Sequence, residues 1–186
     1  MPRSGRVRLV STAFALTALA LLSGGAGAQD KPSKTPTAVI TMEKGGEIVL
    51  EFYPQDAPRH VENFVTLAKK KFYDGQRVHR VEPGFVVQFG DPQSKTKPMD
   101  DPSMGGGGPG YKIKAEFNSR KFERGVLGMA RTNDPDSAGS QVYIMLGPAP
   151  FLNGKYTAFG QVTKGMDAVD KIRVGDRITS IKVVEK

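Results

Sequence analysis

The sequence predicts one mainly β domain, an antiparallel barrel or sandwich with two helices. Three observations lead there. Short apolar runs alternate with glycine and proline turns over residues 38–184. Only two stretches carry helical periodicity. A parallel sheet would need many more crossover helices. At 186 residues, 38% of them apolar, the chain can bury one sizeable core and not two large ones.

The first residues read differently from the rest. Arg3, Arg6 and Arg8 precede an acid-free apolar run from Leu9 to Leu22, and Ala26-Gly27-Ala28 follows. This is the pattern of a secretory signal peptide over residues 1–28, cut before Gln29. As a transmembrane anchor the 14-residue run is short, since a bilayer needs about 20 apolar residues. Residues 29–37 hold no apolar side chain larger than proline, so they read as a flexible leader. The folded domain is then 38–186, exported to a periplasm or the medium, with no membrane association after cleavage.

Two β-rich runs open that domain, Ala38 to Met42 and Glu47 to Tyr53, joined by the hairpin signal Lys44-Gly45-Gly46. Pro58 suits a first helical turn, and Val61, Phe64, Val65, Ala68 and Phe72 recur at helical spacing, so a helix should run from Pro58 to about Lys71. Six further strands are expected: Arg77 to Val81, Phe85 to Phe89, Val126 to Arg131, Gln141 to Leu146, Thr157 to Val162 and Ile178 to Val184. Met166 to Ile172 offers the second helix. Pro92 to Gly110, rich in Pro, Lys, Asp and Gly, is too polar for core and too long for a simple turn, so it should be a surface loop beside a functional site.

Several chemistries can be set aside. The chain has two histidines and no cysteine, which leaves out disulfides and thiolate nucleophiles and makes a zinc site a poor fit. His60 falls out of step with the apolar stripe of its helix and is expected to be solvated. His79, in a strand beside Arg80, is expected to be packed and hydrogen-bonded rather than a base. Gly139-Ser140-Gln141 lacks the second glycine of a nucleophile elbow, and Gly105 to Gly108 precedes no Gly-Lys-Ser/Thr. The formal charge of +8 falls to +5 without the three arginines of residues 1–28. The one short basic cluster, Lys69-Lys70-Lys71, ends a helix, where cations suit the dipole. Nothing resembles a nucleic-acid-binding stripe.

Three segments remain that mix apolar with a few polar side chains. They are Val78-His79-Arg80-Val81-Glu82-Pro83-Gly84-Phe85-Val86-Val87-Gln88-Phe89-Gly90-Asp91; Gly125 to Arg131 with Gly139-Ser140-Gln141-Val142-Tyr143-Ile144; and Phe151-Leu152-Asn153-Gly154-Lys155-Tyr156-Thr157-Ala158-Phe159-Gly160. In this order they closely resemble the cyclophilins, peptidyl-prolyl isomerases with a His-Arg-(x)3-Pro-Gly-Phe-(x)2-Gln motif and a Gly-Ser-Gln motif. The likeness runs from about Ala38 to Val184. It implies a closed eight-stranded antiparallel β-barrel capped by two α-helices, with no cofactor and no metal. It also implies Arg80, Phe85 and Gln88 as catalytic residues. Val86, Gly105, Met129, Ala130, Arg131, Gln141, Tyr143, Phe151, Leu152 and Tyr156 would bind substrate. Expected partners are Pro-containing polypeptides, with no nucleic acid, and the chain is expected to act as a monomer. A module of the same fold that grips Pro-containing segments with little turnover is the alternative; the retained Arg80, Phe85 and Gln88 favour the enzyme.

The residue types suit that reaction. Amide resonance sets a barrier of about 18–20 kcal/mol to X-Pro rotation, with no heavy-atom bond made or broken, so no nucleophile is needed. As C–N twists, the proline nitrogen turns pyramidal and regains a lone pair that the permanently charged Arg80 can meet. Turnover near ~10 per second asks for about 4 kcal/mol below the spontaneous barrier. A hydrogen bond from a charged group gives roughly 1.5–3 kcal/mol, and an apolar, water-excluding pocket must supply the rest. The sequence departs from the common family pattern in a few places. Tyr143 stands where phenylalanine is frequent, Arg131 replaces an asparagine and Tyr156 a histidine. Val86 stands for methionine, and Phe151 replaces the tryptophan of many eukaryotic members. With no indole donor at Phe151, weak inhibition by cyclosporin is expected; potent inhibition of the purified protein in a titration would contradict this.

Overall fold

The computed structural model describes Met1 and residues 35–184. Apart from Met1, the expected signal peptide lies outside the described residues, as does most of the expected leader. Eight strands follow in chain order: β1 (Thr37–Met42), β2 (Glu47–Phe52), β3 (Arg80–Glu82), β4 (Val86–Phe89), β5 (Val126–Met129), β6 (Val142–Met145), β7 (Ala158–Lys164) and β8 (Ile178–Val184). Two helices, α1 (Pro58–Lys69) and α2 (Met166–Lys171), complete the set. All eight strands join one antiparallel sheet in the order β3-β4-β6-β5-β7-β2-β1-β8.

The sheet curls on itself but does not close as expected. Its edge strands, β3 and β8, share no ladder and are linked near Arg77 and Arg177 by an isolated bridge. Single backbone bonds such as Val78 N–H to Asp176 O support that link. β3 is only three residues long, which leaves little edge to pair, and the result is a curled half-barrel.

Alternation along the strands divides the apolar residues into two sets. Ile40, Leu50, Phe52, Val87, Phe89, Leu127, Met129, Val142 and Ile144 fill the interior with α1. The rings of Phe52, Phe64, Tyr73 and Phe159 interlock there at 5.0–6.3 Å between centroids. On the outer face Val86, Val126, Tyr143, Met145 and Ala158 pack with Phe122 and Leu152 into a second, smaller cluster. Loops cover that cluster, and the site lies on it.

α1 begins with Pro58 at its first turn, as its fixed φ favours, yet Ala57 before it provides no side-chain cap. The missing acceptor arrives from far along the chain. Glu116 accepts from the backbone N–H groups of Arg59 (3.1 Å) and His60 (3.0 Å), and it pairs with His60 Nδ1 at 2.6 Å. His60 is therefore fully buried and not solvated as expected. One turn before Phe64, it faces the interior once the segment around Glu116 folds over the helix start.

Both histidines titrate below their ordinary range. Burial is the main cause at His60, offset in part by the hydrogen bond and charge of Glu116. Burial also dominates at His79, offset in part by Asp91. The unfolded chain, with histidines near ~6.5, then takes up protons that the folded chain refuses. Stability contributed by the neutral imidazoles is complete above that value and is lost as pH falls through it. The urea midpoint is expected to be lower at pH 5.5 than at pH 7.5; an unchanged or higher midpoint in acid would contradict the burial argument.

Candidate active site

The site is built on strand register. In the β3–β4 hairpin Arg80 lies opposite Gln88, because the turn Glu82-Pro83-Gly84-Phe85 takes up the intervening residues. Gly84 adopts φ +74° there, a left-handed conformation that suits glycine, and Phe85 N–H donates to Glu82 O at 2.9 Å. The row continues: Gln88 faces Tyr143 on β6, Tyr143 faces Gly128 on β5, and Gly128 faces Ala158 on β7. Five strands thus place Arg80, Gln88, Tyr143, Gly128 and Ala158 in one line on the outer face.

Each place in the line has a consequence. The exposed Arg80 guanidinium donates from Nη1 to Gln88 Oε1 at 3.2 Å and sits 5.7 Å from the centre of the Phe85 ring, with Glu82 3.6 Å from Nε. Gln88 Nε2 in turn donates to Gln141 Oε1 at 2.9 Å. Tyr143 lies down over Gly128: a Cβ there would fall 2.2 Å from the tyrosine Cζ. The absent side chain makes the hollow that the ring fills.

Above this row a cavity of about 320 Å³ is lined by Arg80, Phe85, Val86, Gln88, Ala130, Arg131, Tyr143, Phe151, Leu152 and Tyr156. Phe151, mostly exposed, leans on Phe85 with centroids 5.7 Å apart. Arg131 forms one wall, its guanidinium 4.2 Å from the Tyr156 ring centre and bonded to the carbonyls of Thr132 (2.7 Å) and Lys155 (2.9 Å). A neighbouring cavity of about 480 Å³ shares Gln88, Ala130 and Arg131 and adds Gly105 to Tyr111 and Gln141. The end of the expected 92–110 loop is thus one wall of a cleft.

Of the residues expected at the site, one lies elsewhere. Met129 falls on the interior phase of β5, is 1% exposed and packs in the main core, so its side chain cannot wall the cavity. Gly105 and Gln141 belong to the larger cavity only. Ser140 donates to Gly90 O at 2.6 Å and is buried, a structural role consistent with the missing elbow. His79 is packed, yet neither ring nitrogen has a well-formed hydrogen bond. Sequence reasoning missed Gly128 and Asp91. The pairing of Gly128 with a large aromatic across the sheet has no local signal, whereas Asp91-Pro92 is a helix-start signature whose wider use was not visible.

Tyr143 carries a hydroxyl that is buried and makes no hydrogen bond with any described group, and burial pushes its phenol pKa up. A buried, unpaired hydroxyl costs about 1–3 kcal/mol. Tyr143→Phe is expected to stabilise the protein by about 1 kcal/mol in a urea titration; a destabilised variant would show that the hydroxyl is satisfied.

This arrangement agrees with the comparisons. A family model described as cyclophilin type peptidyl-prolyl cis-trans isomerase/CLD matches residues 37–185. A Brucella abortus protein named probable peptidyl-prolyl cis-trans isomerase is 42% identical over 169 residues, spanning 89% of this chain and 86% of that one. Peptidyl-prolyl cis-trans isomerase B of Bacillus subtilis is 42% identical over 149 residues, spanning 79% and 97%. In three dimensions the chain is similar to a cyclophilin type peptidyl-prolyl cis-trans isomerase of Cryptosporidium parvum, with a TM-score of 0.72 and 24% identity, over 82% of this chain and 99% of that one. That protein was also crystallised in the presence of the dipeptide Ala-Pro, and this structure gives a TM-score of 0.70. The motifs, the curled eight-stranded sheet and the extent of the family match together show that the chain belongs to the cyclophilin-type peptidyl-prolyl cis-trans isomerases.

Proposed function

We propose that the chain speeds rotation about X-Pro bonds in exported polypeptides and so assists their folding, with the proline ring in the smaller cavity and Arg80 acting on its nitrogen. One observation carries this reading: the cross-strand row puts a guanidinium at the rim of an apolar cavity, held by a neutral amide. A carboxylate held tightly against the guanidinium would compete for its donors, whereas Glu82 stands 3.6 Å off with both groups about half exposed. Nη1 bonds Gln88, and the remaining N–H groups stay available to the amide nitrogen as it turns pyramidal.

The rest of the site supplies the complementary half of catalysis. Phe85, Val86, Tyr143, Phe151 and Leu152 hold an apolar ring and keep water from that side of the amide, while the half-exposed guanidinium meets the twisted nitrogen from the rim. Gln88 and the Ala130-Arg131 backbone, shared by both cavities, would hold the peptide preceding the proline while the ring side turns. The ground-state nitrogen is a poor acceptor. Arg80 therefore favours the transition state over the bound substrate, which raises turnover rather than affinity.

Export is supported by Arg3, Arg6 and Arg8, the apolar run from Leu9 to Leu22 and the small residues Ala26-Gly27-Ala28. A module of the same fold that grips proline segments without turnover would have no use for a guanidinium aimed at the amide. A coupled X-Pro peptide assay separates the two. The intact protein is expected to accelerate isomerisation, and Arg80→Ala to lower kcat/KM by about 10- to 100-fold, the worth of one charged hydrogen bond. Acceleration undiminished in Arg80→Ala would remove Arg80 from the mechanism, and no acceleration by the intact protein would leave the binding module.

A further inference from the structure

We propose that Asp91 is a positioning residue for the isomerisation, acting on Arg80 through the glycine loop and two glutamine side chains. The inference rests on the isomerase reading above. Asp91 follows β4 by two residues and is fully buried. Its Oδ1 accepts from Gln93 N–H at 2.8 Å, capping the 3₁₀ turn Pro92–Lys95. Its Oδ2 reaches the distant end of the loop, accepting from Gly105 N–H at 2.6 Å and Gly107 N–H at 3.1 Å. Such a close approach requires glycine, since a Cβ on Gly107 would fall 2.1 Å from Oδ1.

With their N–H groups turned to Asp91, Gly105 and Gly107 present their carbonyls on the other side. Both accept from Gln141 Nε2, at 2.7 and 2.8 Å. That settles which way the Gln141 amide points, because an amide has one donor end and one acceptor end. Its Oε1 must face Gln88 Nε2, at 2.9 Å, and Gln88 Oε1 must then face Arg80 Nη1, at 3.2 Å. Direction is transmitted at every step. Without the loop carbonyls Gln141 is free to flip, and Gln88 loses the reason to offer oxygen rather than N–H to the guanidinium. An asparagine at 91 keeps the shape but replaces one acceptor oxygen by a donor, which opposes either Gln93 N–H or the two glycine N–H groups.

The test is a coupled X-Pro assay on the full chain carrying Asp91→Asn, Arg80→Ala, or both. Asp91→Asn is expected to lower kcat/KM by about tenfold, and to cost less than about twofold when Arg80 is already alanine, because sites in one network are not additive. A merely structural role would give the same loss in both backgrounds, and that result, or no loss at all, overturns the proposal. Should Asp91→Asn fail to fold, Gly107→Ala, whose methyl displaces the same carboxylate contact, is put through the same cycle and read by the same criterion. A normal effect of Arg80→Ala with none from Asp91→Asn overturns this inference alone, whereas no catalysis by the intact chain overturns the isomerase reading beneath it.

Discussion

Everything at the site depends on one constraint, the register that lines up Arg80, Gln88, Tyr143 and Gly128 across four strands. Register in a sheet cannot drift gradually, since a slip of one residue turns every side chain to the opposite face. Such a slip in β4 would send Gln88 inward and Val87 outward, which would bury an amide and expose core at once. The geometry of the proposed site is therefore secured by the hydrophobic alternation of the strands that carry it. The same pattern stabilises the fold and aims the guanidinium.

Two carboxylates from loops complete what the sheet begins. Glu116 reaches back to the start of α1, where the chain has no cap of its own, and it hydrogen-bonds a buried imidazole on the way. Asp91 draws in the glycine loop, which would otherwise have no apolar side chain to hold it. In both cases carboxylates satisfy backbone N–H groups otherwise without partners, in the first turn of α1 and in the glycine loop, and such charge-assisted bonds are stronger than neutral ones. The site's edge is ordered by polar contacts, and its floor by packing.

Much of this was legible in the sequence. The β2 pattern Ile48, Leu50, Phe52, the helical spacing of Val61, Phe64 and Ala68, and the glycine-proline punctuation are local signals, and the elements appear within a few residues of where they point. That Arg80, Phe85 and Gln88 lie side by side was legible because one hairpin carries all three. What was not legible depends on contacts distant in the chain. His60 looked out of phase because its partner, Glu116, is 56 residues away. Met129 was placed at the cavity although Val126–Met129 is apolar throughout; such a run is buried on both faces and its periodicity cannot say which side faces the site. The barrel was expected to be closed because the family resemblance implies it, yet the shortness of β3 leaves its edges joined by little more than single bonds.

The central claim is that the guanidinium stabilises the twisted amide and not the bound peptide. Exchange spectroscopy by nuclear magnetic resonance on an X-Pro peptide, with the intact protein and with Arg80→Ala, measures interconversion on the enzyme separately from binding. The account predicts that on-enzyme interconversion slows by more than about tenfold in Arg80→Ala while the dissociation constants of the cis and trans peptides change by less than about twofold. Equal losses in affinity and interconversion would contradict it, because Arg80 would then be holding the substrate rather than turning it.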